Sequence, residues 1–170
     1  MTIKVTKPEI KLIEKLNELD FETLPHGKMP AGSVIQVVQN ALNASAYTAA
    51  STSWTVITDM DVTITPTASS SKVLVTFNCG GSITGASTNQ ENIGLRIKRG
   101  STIIRSLGRY GFNRNNDYSP IPVFINYLDS PNTTSATTYT IEMKVDAGSM
   151  HINRTGVTNG GASIAQEIAG

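Results

Sequence analysis

From Ser33 onward the sequence is a succession of short runs in which apolar residues recur at every second position, separated by Gly-, Ser-, Thr- and Asn-rich breaks. Val34, Ile35, Val37 and Val38 fall within 33–39. The even positions of 54–64, broken only by Thr58, hold Trp54, Val56, Met60, Val62 and Ile64, which predicts one long strand. Val73, Val75 and Phe77 share a face of 72–79. Segments 93–98 and 102–107 flank Arg99-Gly100-Ser101 and predict a hairpin. Further strands are expected over 121–128, 138–145 (Tyr139, Ile141, Met143 and Val145 on one face), 149–153 and 163–168. Pro120 and Pro122 mark the 121–128 strand as an edge or an irregular start. Segments 41–53, 80–90, 108–119, 129–136 and 156–161 are expected to be loops. Roughly eight or nine strands with no helix between them exclude parallel βαβ folds, which need crossover helices. They imply an all-β, antiparallel β-sandwich, for which a jelly roll is the common eight-stranded solution.

The N-terminal segment differs in kind. Residues 7–20, KPEIKLIEKLNELD, place Leu12, Ile13, Leu16 and Leu19 on one face of an amphipathic helix. Pro8 suits the first turn, and Thr6 can serve as N-cap. A helix of this length is marginal alone in water, so it needs a surface to lie on. That surface is either its own domain or an assembly, with Leu12, Ile13, Leu16 and Leu19 as the anchor residues. Pro25, Gly27, Pro30 and Gly32 break the chain after it. The organisation expected is a helical anchor over 1–21, a linker over 22–32 and a β-sandwich domain over 33–170.

Fourteen basic residues face thirteen acidic ones, for a net charge of +1, so no global field draws the chain to nucleic acid. The N-terminus lacks a continuous apolar run, so no secretory signal is expected and synthesis in a cytoplasm follows. No stretch approaches the roughly 18 apolar residues of a membrane span. Against that background the Asn-x-Ser/Thr triplets at Asn43, Asn132 and Asn153 read as chance. The single cysteine, Cys79, sits in an alternating run and is expected to be an inert buried thiol.

The sequence offers little to chemistry. Asp59 and Asp61 are spaced for one outward strand face, where a solvated surface accounts for them. His26 lies in the linker and His151 in a short strand, so neither finds an evident nucleophile and acid to complete a triad. No cluster of metal-ligating residues and no phosphate-binding glycine loop is present. The expectation is a non-enzymatic chain with no catalytic residue, cofactor or metal.

One cluster stands out: Arg96, Lys98, Arg99, Arg105, Arg109, Tyr110, Phe112, Arg114 and Tyr118. Arg and Tyr are the residues of binding hot spots. Two readings stand at this point. In one the cluster is a protein interface. In the other Arg96 and Lys98 are the solvent face of a strand, while Tyr110 and Phe112 fill the core.

Four segments carry a family resemblance. They are MPAGSVIQVVQ (29–39), VTITPTASSSKVLV (62–75), LRIKRGSTII (95–104) and ASIAQEI (162–168). Together they resemble a family of small virion proteins of tailed phages, many from marine and cyanobacterial hosts. The resemblance spans residues 29–168. It implies a jelly-roll-like sandwich similar to tumour-necrosis-factor-like heads, assembled as a homotrimer. It also implies a place on the virion as a tail fibre, short knob or capsid decoration protein, joined to other virion proteins through residues 1–28. An alternative within the same family is a receptor- or glycan-binding head domain of a tail fibre, with a host-surface glycan or receptor met by loops 80–92, 108–119 and 129–137. The motifs are structural, and the resemblance carries no catalytic residues onto this sequence. The chain has almost no shaft, which favours a knob or decoration protein over a complete long fibre.

Overall fold

The computed structural model describes residues 29–42, 47–49, 51–84, 91–112, 119–152 and 160–170. The expected helix with Leu12, Ile13, Leu16 and Leu19, and the linker up to residue 28, lie outside the described residues. Every regular element among the described residues is a strand. In chain order they are β1 (Val34–Ala41), β2 (Tyr47–Ala49), β3 (Thr55–Val56), β4 (Val62–Ile64), β5 (Lys72–Thr84), β6 (Glu91–Arg99), β7 (Thr102–Phe112), β8 (Ser119–Asp129), β9 (Thr137–Val145), β10 (Ser149–Ile152) and β11 (Gly161–Ile168).

They form two antiparallel sheets. In sheet A the order is β1-β11-β5-β8, and β10 followed by β2 pairs with the far half of β5. Sheet B is centred on β9, with β3 and β4 on one side and β6 then β7 on the other. The chain crosses between sheets after β2, β4, β5, β7, β8 and β9, while β6 and β7 stay together as the expected hairpin. This is the jelly-roll-like sandwich the sequence implies. Arg99 pairs with Thr102, leaving Gly100 and Ser101 as the turn. Gly100 alone of the two has a positive φ, 55°, the arrangement of a type II′ hairpin.

The inner faces meet in one core. Val73, Val75 and Phe77 of β5 and Ile125 of β8 face Leu95 and Ile97 of β6 and Tyr139, Ile141 and Met143 of β9, all buried. Truncating a side chain such as Phe77 to Ala would cost roughly 3–5 kcal/mol through lost burial and the cavity left behind.

Three expectations need correction. The single strand over 54–64 is instead β3 and β4 separated by a turn in which Asp59 takes φ 63°. The turn shifts the phase: Ile57, Met60, Val62 and Ile64 face the core, whereas Val56 is exposed. Asp59 and Asp61 therefore lie in the connection between β3 and β4, Asp59 in the turn itself, and are not two positions of one strand face. Both are solvated as expected, and their backbone carbonyls accept hydrogen bonds from the Asn40 side chain at 3.0 and 2.9 Å. Second, β5 runs straight through Gly80 and Gly81 to Thr84, where a loop was expected, because β8 and β10 pair with it on both sides. Third, β7 extends to Phe112, since Glu91, Asn92 and Ile93 of β6 continue the ladder past the aperiodic sequence. The prolines behave as the sequence implies: Pro120 and Pro122 lie on β8, which pairs on one side only with β5.

Candidate functional site

The outer faces of the two sheets have opposite character. On sheet A, three rows cross all four strands in register: Val37–Gln166–Leu74–Leu128, Gln39–Ile164–Thr76–Asn126 and Ala41–Ala162–Asn78–Phe124. None of these side chains is charged. Phe124 is 57% exposed, Val37 54% and Leu128 46%. Lys72, beside Ile168 and Val34, is the first charge beyond them. An uncharged face that exposes Val37, Phe124 and Leu128 has the character of an interaction surface. The amides of Gln39, Gln166, Asn78 and Asn126 both donate and accept, so such a face can complement a copy of itself.

On sheet B the outward positions of β6 and β9 are Asn92, Gly94, Arg96 and Lys98 opposite Asp146, Lys144, Glu142 and Thr140. Their charges are paired within the face. Glu142, 6% exposed, accepts from Arg96 Nε and from Lys98 Nζ at 3.3 Å. Lys144 lies 3.7 Å from Asp146, and Asn92 Nδ2 donates to Asp146 Oδ2 at 3.0 Å. Thr63 and Thr138 share a cross-strand hydrogen bond of 2.8 Å. A face already satisfied in this way is at ease in water.

The basic and aromatic cluster expected from the sequence is thus divided. Arg96 and Lys98 are the outward face of a strand, held by Glu142. Arg99 turns away from them: its Nη1 donates to Asp129 Oδ2 at 2.7 Å and to the Ser130 carbonyl at 3.2 Å. Arg105 is exposed on β7. Arg109, Tyr110 and Phe112 belong to β7 by backbone pairing, and Arg114 and Tyr118 lie outside the described residues. The described members do not converge into one interface.

Two polar networks tie the sandwich shut. Asp129, at the end of β8, accepts from Arg99 of β6 and from the buried Tyr139 hydroxyl of β9 at 2.9 Å, which clasps sheet A to sheet B. Burial first, and the Asp129 bond second, push the Tyr139 phenol above its ordinary value. Glu167 of β11 is fully buried. Its carboxylate accepts from Gln36 Nε2 at 2.6 Å and from the Thr67 amide and hydroxyl at 2.8 and 2.7 Å, stitching the 65–71 connection to β1 and β11. Burial alone would raise its pKa, but hydrogen bonds from Ser71, Gln36 and Thr67 outweigh that and hold it at about 2. The Cys79 thiol, pushed up to about 12 by burial, is the inert thiol expected. His151 shares a 2.9 Å hydrogen bond with Thr48 across β10 and β2.

Trp54 was assigned to the core face by its alternation. It lies instead on the outer face of sheet B, just before β3. The Arg96 guanidinium sits 4.3 Å from the ring centroid and the Lys144 ammonium 5.6 Å. The ring reaches across Gly94, where a β-carbon would come within 2.8 Å of Cη2. Beside it opens a depression of about 150 Å³ lined by Trp54, Asn92, Gly94, Leu107, Lys144 and Asp146, among others. Among the described residues no helix is long and apolar enough to cross a membrane.

No family model matches the chain, and no curated protein matches it. Among solved structures, the chain is similar to one described as infectious bursal disease virus, Gt strain. There the TM-score is 0.42 and the identity 13%, over 82% of this chain and 39% of that one. It is also similar to the T13 particle of the same virus (TM-score 0.39, 12% identity, 79% and 35% covered) and to the D431N mutant VP2 protein of its T=1 particles (TM-score 0.36, 10% identity, 79% and 36% covered). The chain spans less than two fifths of each of those chains. At TM-scores below 0.5 the fold assignment rests on the strand order described above.

Proposed function

We propose that this protein is a virion structural protein of a tailed phage: a short knob or decoration protein that assembles as a homotrimer through the outer face of sheet A. Residues 1–28 join it to the particle, and the faces left open contribute to host attachment. The observation that carries the reading is the three uncharged rows on sheet A, with Phe124, Val37 and Leu128 exposed, set against a sheet B on which the outward charges of β6 and β9 pair with one another. Interface cores are depleted of charge in this way, and solvated faces are not. The sequence resemblance over residues 29–168 supplies the phage virion context, and the apolar stripe Leu12, Ile13, Leu16 and Leu19 supplies the anchor.

Light scattering coupled to size exclusion on the full chain tests it. The expected mass is three times that of the monomer, falling to one when Phe124→Glu is introduced. A monodisperse monomer at micromolar concentration, with no assembly at higher concentration, would sink the reading. Retention of the trimer in Phe124→Glu would move the interface elsewhere.

A further inference from the structure

We infer that the outer face of sheet A closes head to tail, the β8 side of one copy on the β1 side of the next. Phe124 seats on the hollow over Ala41 and Ala162, Asn126 meets Gln39, and Leu128 meets Val37. The inference rests on the trimer proposed above and adds which residues of one copy meet which residues of its neighbour.

The two ends of each row match each other. The first row ends in Val37 and Leu128, both aliphatic and exposed. The second ends in Gln39 and Asn126, both exposed amides. The third is uneven: Ala41, backed by Ala162, stands at one end, and the 57% exposed ring of Phe124 at the other. One row on, Gly80 of β5 adds no bulk, and the space a β-carbon would enter there is open. The face therefore has a hollow on its β1 side and a knob on its β8 side. A closed ring of three is built from heterologous contacts, in which one patch meets a different one. A threefold axis along the strands keeps every row at its own height, so row meets row. Joined in this way, aliphatic meets aliphatic, an amide that donates and accepts meets another, and the ring drops onto two alanines. A two-fold that set β8 against β8 would instead stack Phe124 on Phe124 and leave the hollows empty. The width of the face agrees with three copies. Four strands at about 4.8 Å make a face roughly 19 Å across, and three such faces set as a triangular prism share an axis about 5–6 Å from each sheet. That is about half the ~10 Å at which sheets pack, so Leu74 and Ile164 on the two middle strands fill the centre.

Thiol cross-linking of the full-length protein tests the pairing in the amide row, where the substitutions spare the knob and the hollow. Gln39 and Asn126 are exposed, and within one chain they lie about 14 Å apart across three strand spacings, too far for a short bis-maleimide linker. The buried Cys79 does not compete. The double variant Gln39→Cys with Asn126→Cys is expected to give covalent trimers on a denaturing gel. Neither single variant is expected to link to itself, and an equal mixture of the two singles should stop at covalent dimers. A wild-type chain that light scattering finds monomeric removes this inference together with the function proposed above. A wild-type trimer overturns the pairing alone if the double variant yields no covalent trimer, or if either single variant links to itself.

Discussion

The two sheets bury their inner faces against each other by the same rule, yet their outer faces diverge. Sheet B places Arg96, Lys98 and Lys144 against Glu142 and Asp146, and each charge is met by its opposite within the face. Sheet A crosses four strands with Val, Leu, Ile, Phe, Ala, one Thr and side-chain amides and no charge in three full rows. Both faces are outward in the single chain. Only one is furnished for water, and on the function proposed above the other is the face that assembly covers.

The largest expected effect breaks this asymmetry directly. Phe124→Glu together with Leu128→Glu should convert the assembly to monomer, while Lys98→Glu on sheet B leaves the mass unchanged. Both positions on β8 are exposed in the single chain, so its own stability should shift by no more than roughly 0.5 kcal/mol. Mass by light scattering and thermal unfolding of the same samples separate the two effects.

Next come the networks that hold the faces parallel. Asp129→Ala strands the Tyr139 hydroxyl in the core and frees Arg99, opening the clasp between sheets. The expected loss is about 2–4 kcal/mol in chemical denaturation. A loss under about 0.5 kcal/mol would show that the clasp is ornamental.

Glu167 gives a comparable effect that depends on pH. Its folded pKa, about 2, lies below the ordinary value of 4.5, so it stabilises the fold fully above pH 4.5. That contribution declines as pH falls from 4.5 toward 2 and is gone below, amounting to roughly 3 kcal/mol. Glu167→Gln should flatten the stability profile in that window. An unchanged profile would contradict the assignment.

A smaller effect belongs to sheet B. Glu142→Gln removes the acceptor that Arg96 and Lys98 share, but those two side chains are partly solvated, so the expected cost is about 1 kcal/mol. High salt should reduce the difference between wild type and variant.

The sandwich was legible because each inner face alternates: Val73, Val75 and Phe77, or Tyr139, Ile141 and Met143, can belong to nothing but a half-buried strand. The hairpin at Gly100 was legible for its turn residue. What misled was chemistry that period two does not see. The turn at Asp59 shifts the phase by one residue, so Trp54 and Val56 seem to continue the core face of Val62 and Ile64 and in fact lie outside. Gly80 and Gly81 look like a loop, but a strand paired on both sides keeps them extended. The uncharged face of sheet A was hidden for a different reason. Its residues come from four segments far apart in sequence, and their common lack of charge shows only after register sets Val37, Gln166, Leu74 and Leu128 in one row. Likewise Arg96 and Arg99 look like one basic cluster until the fold sends one to Glu142 and the other to Asp129.

Thiol accessibility tests the central claim most directly. The native Cys79 is buried and its pKa raised, so a new cysteine is the reactive one. Phe124→Cys on sheet A and Thr138→Cys on sheet B both sit at exposed positions of the single chain. Labelled with a maleimide at high and low protein concentration, Phe124→Cys should react slowly when assembled and faster on dilution, whereas Thr138→Cys reacts fast throughout. Equal, concentration-independent rates at the two positions would contradict the account, because sheet A would then face water as freely as sheet B.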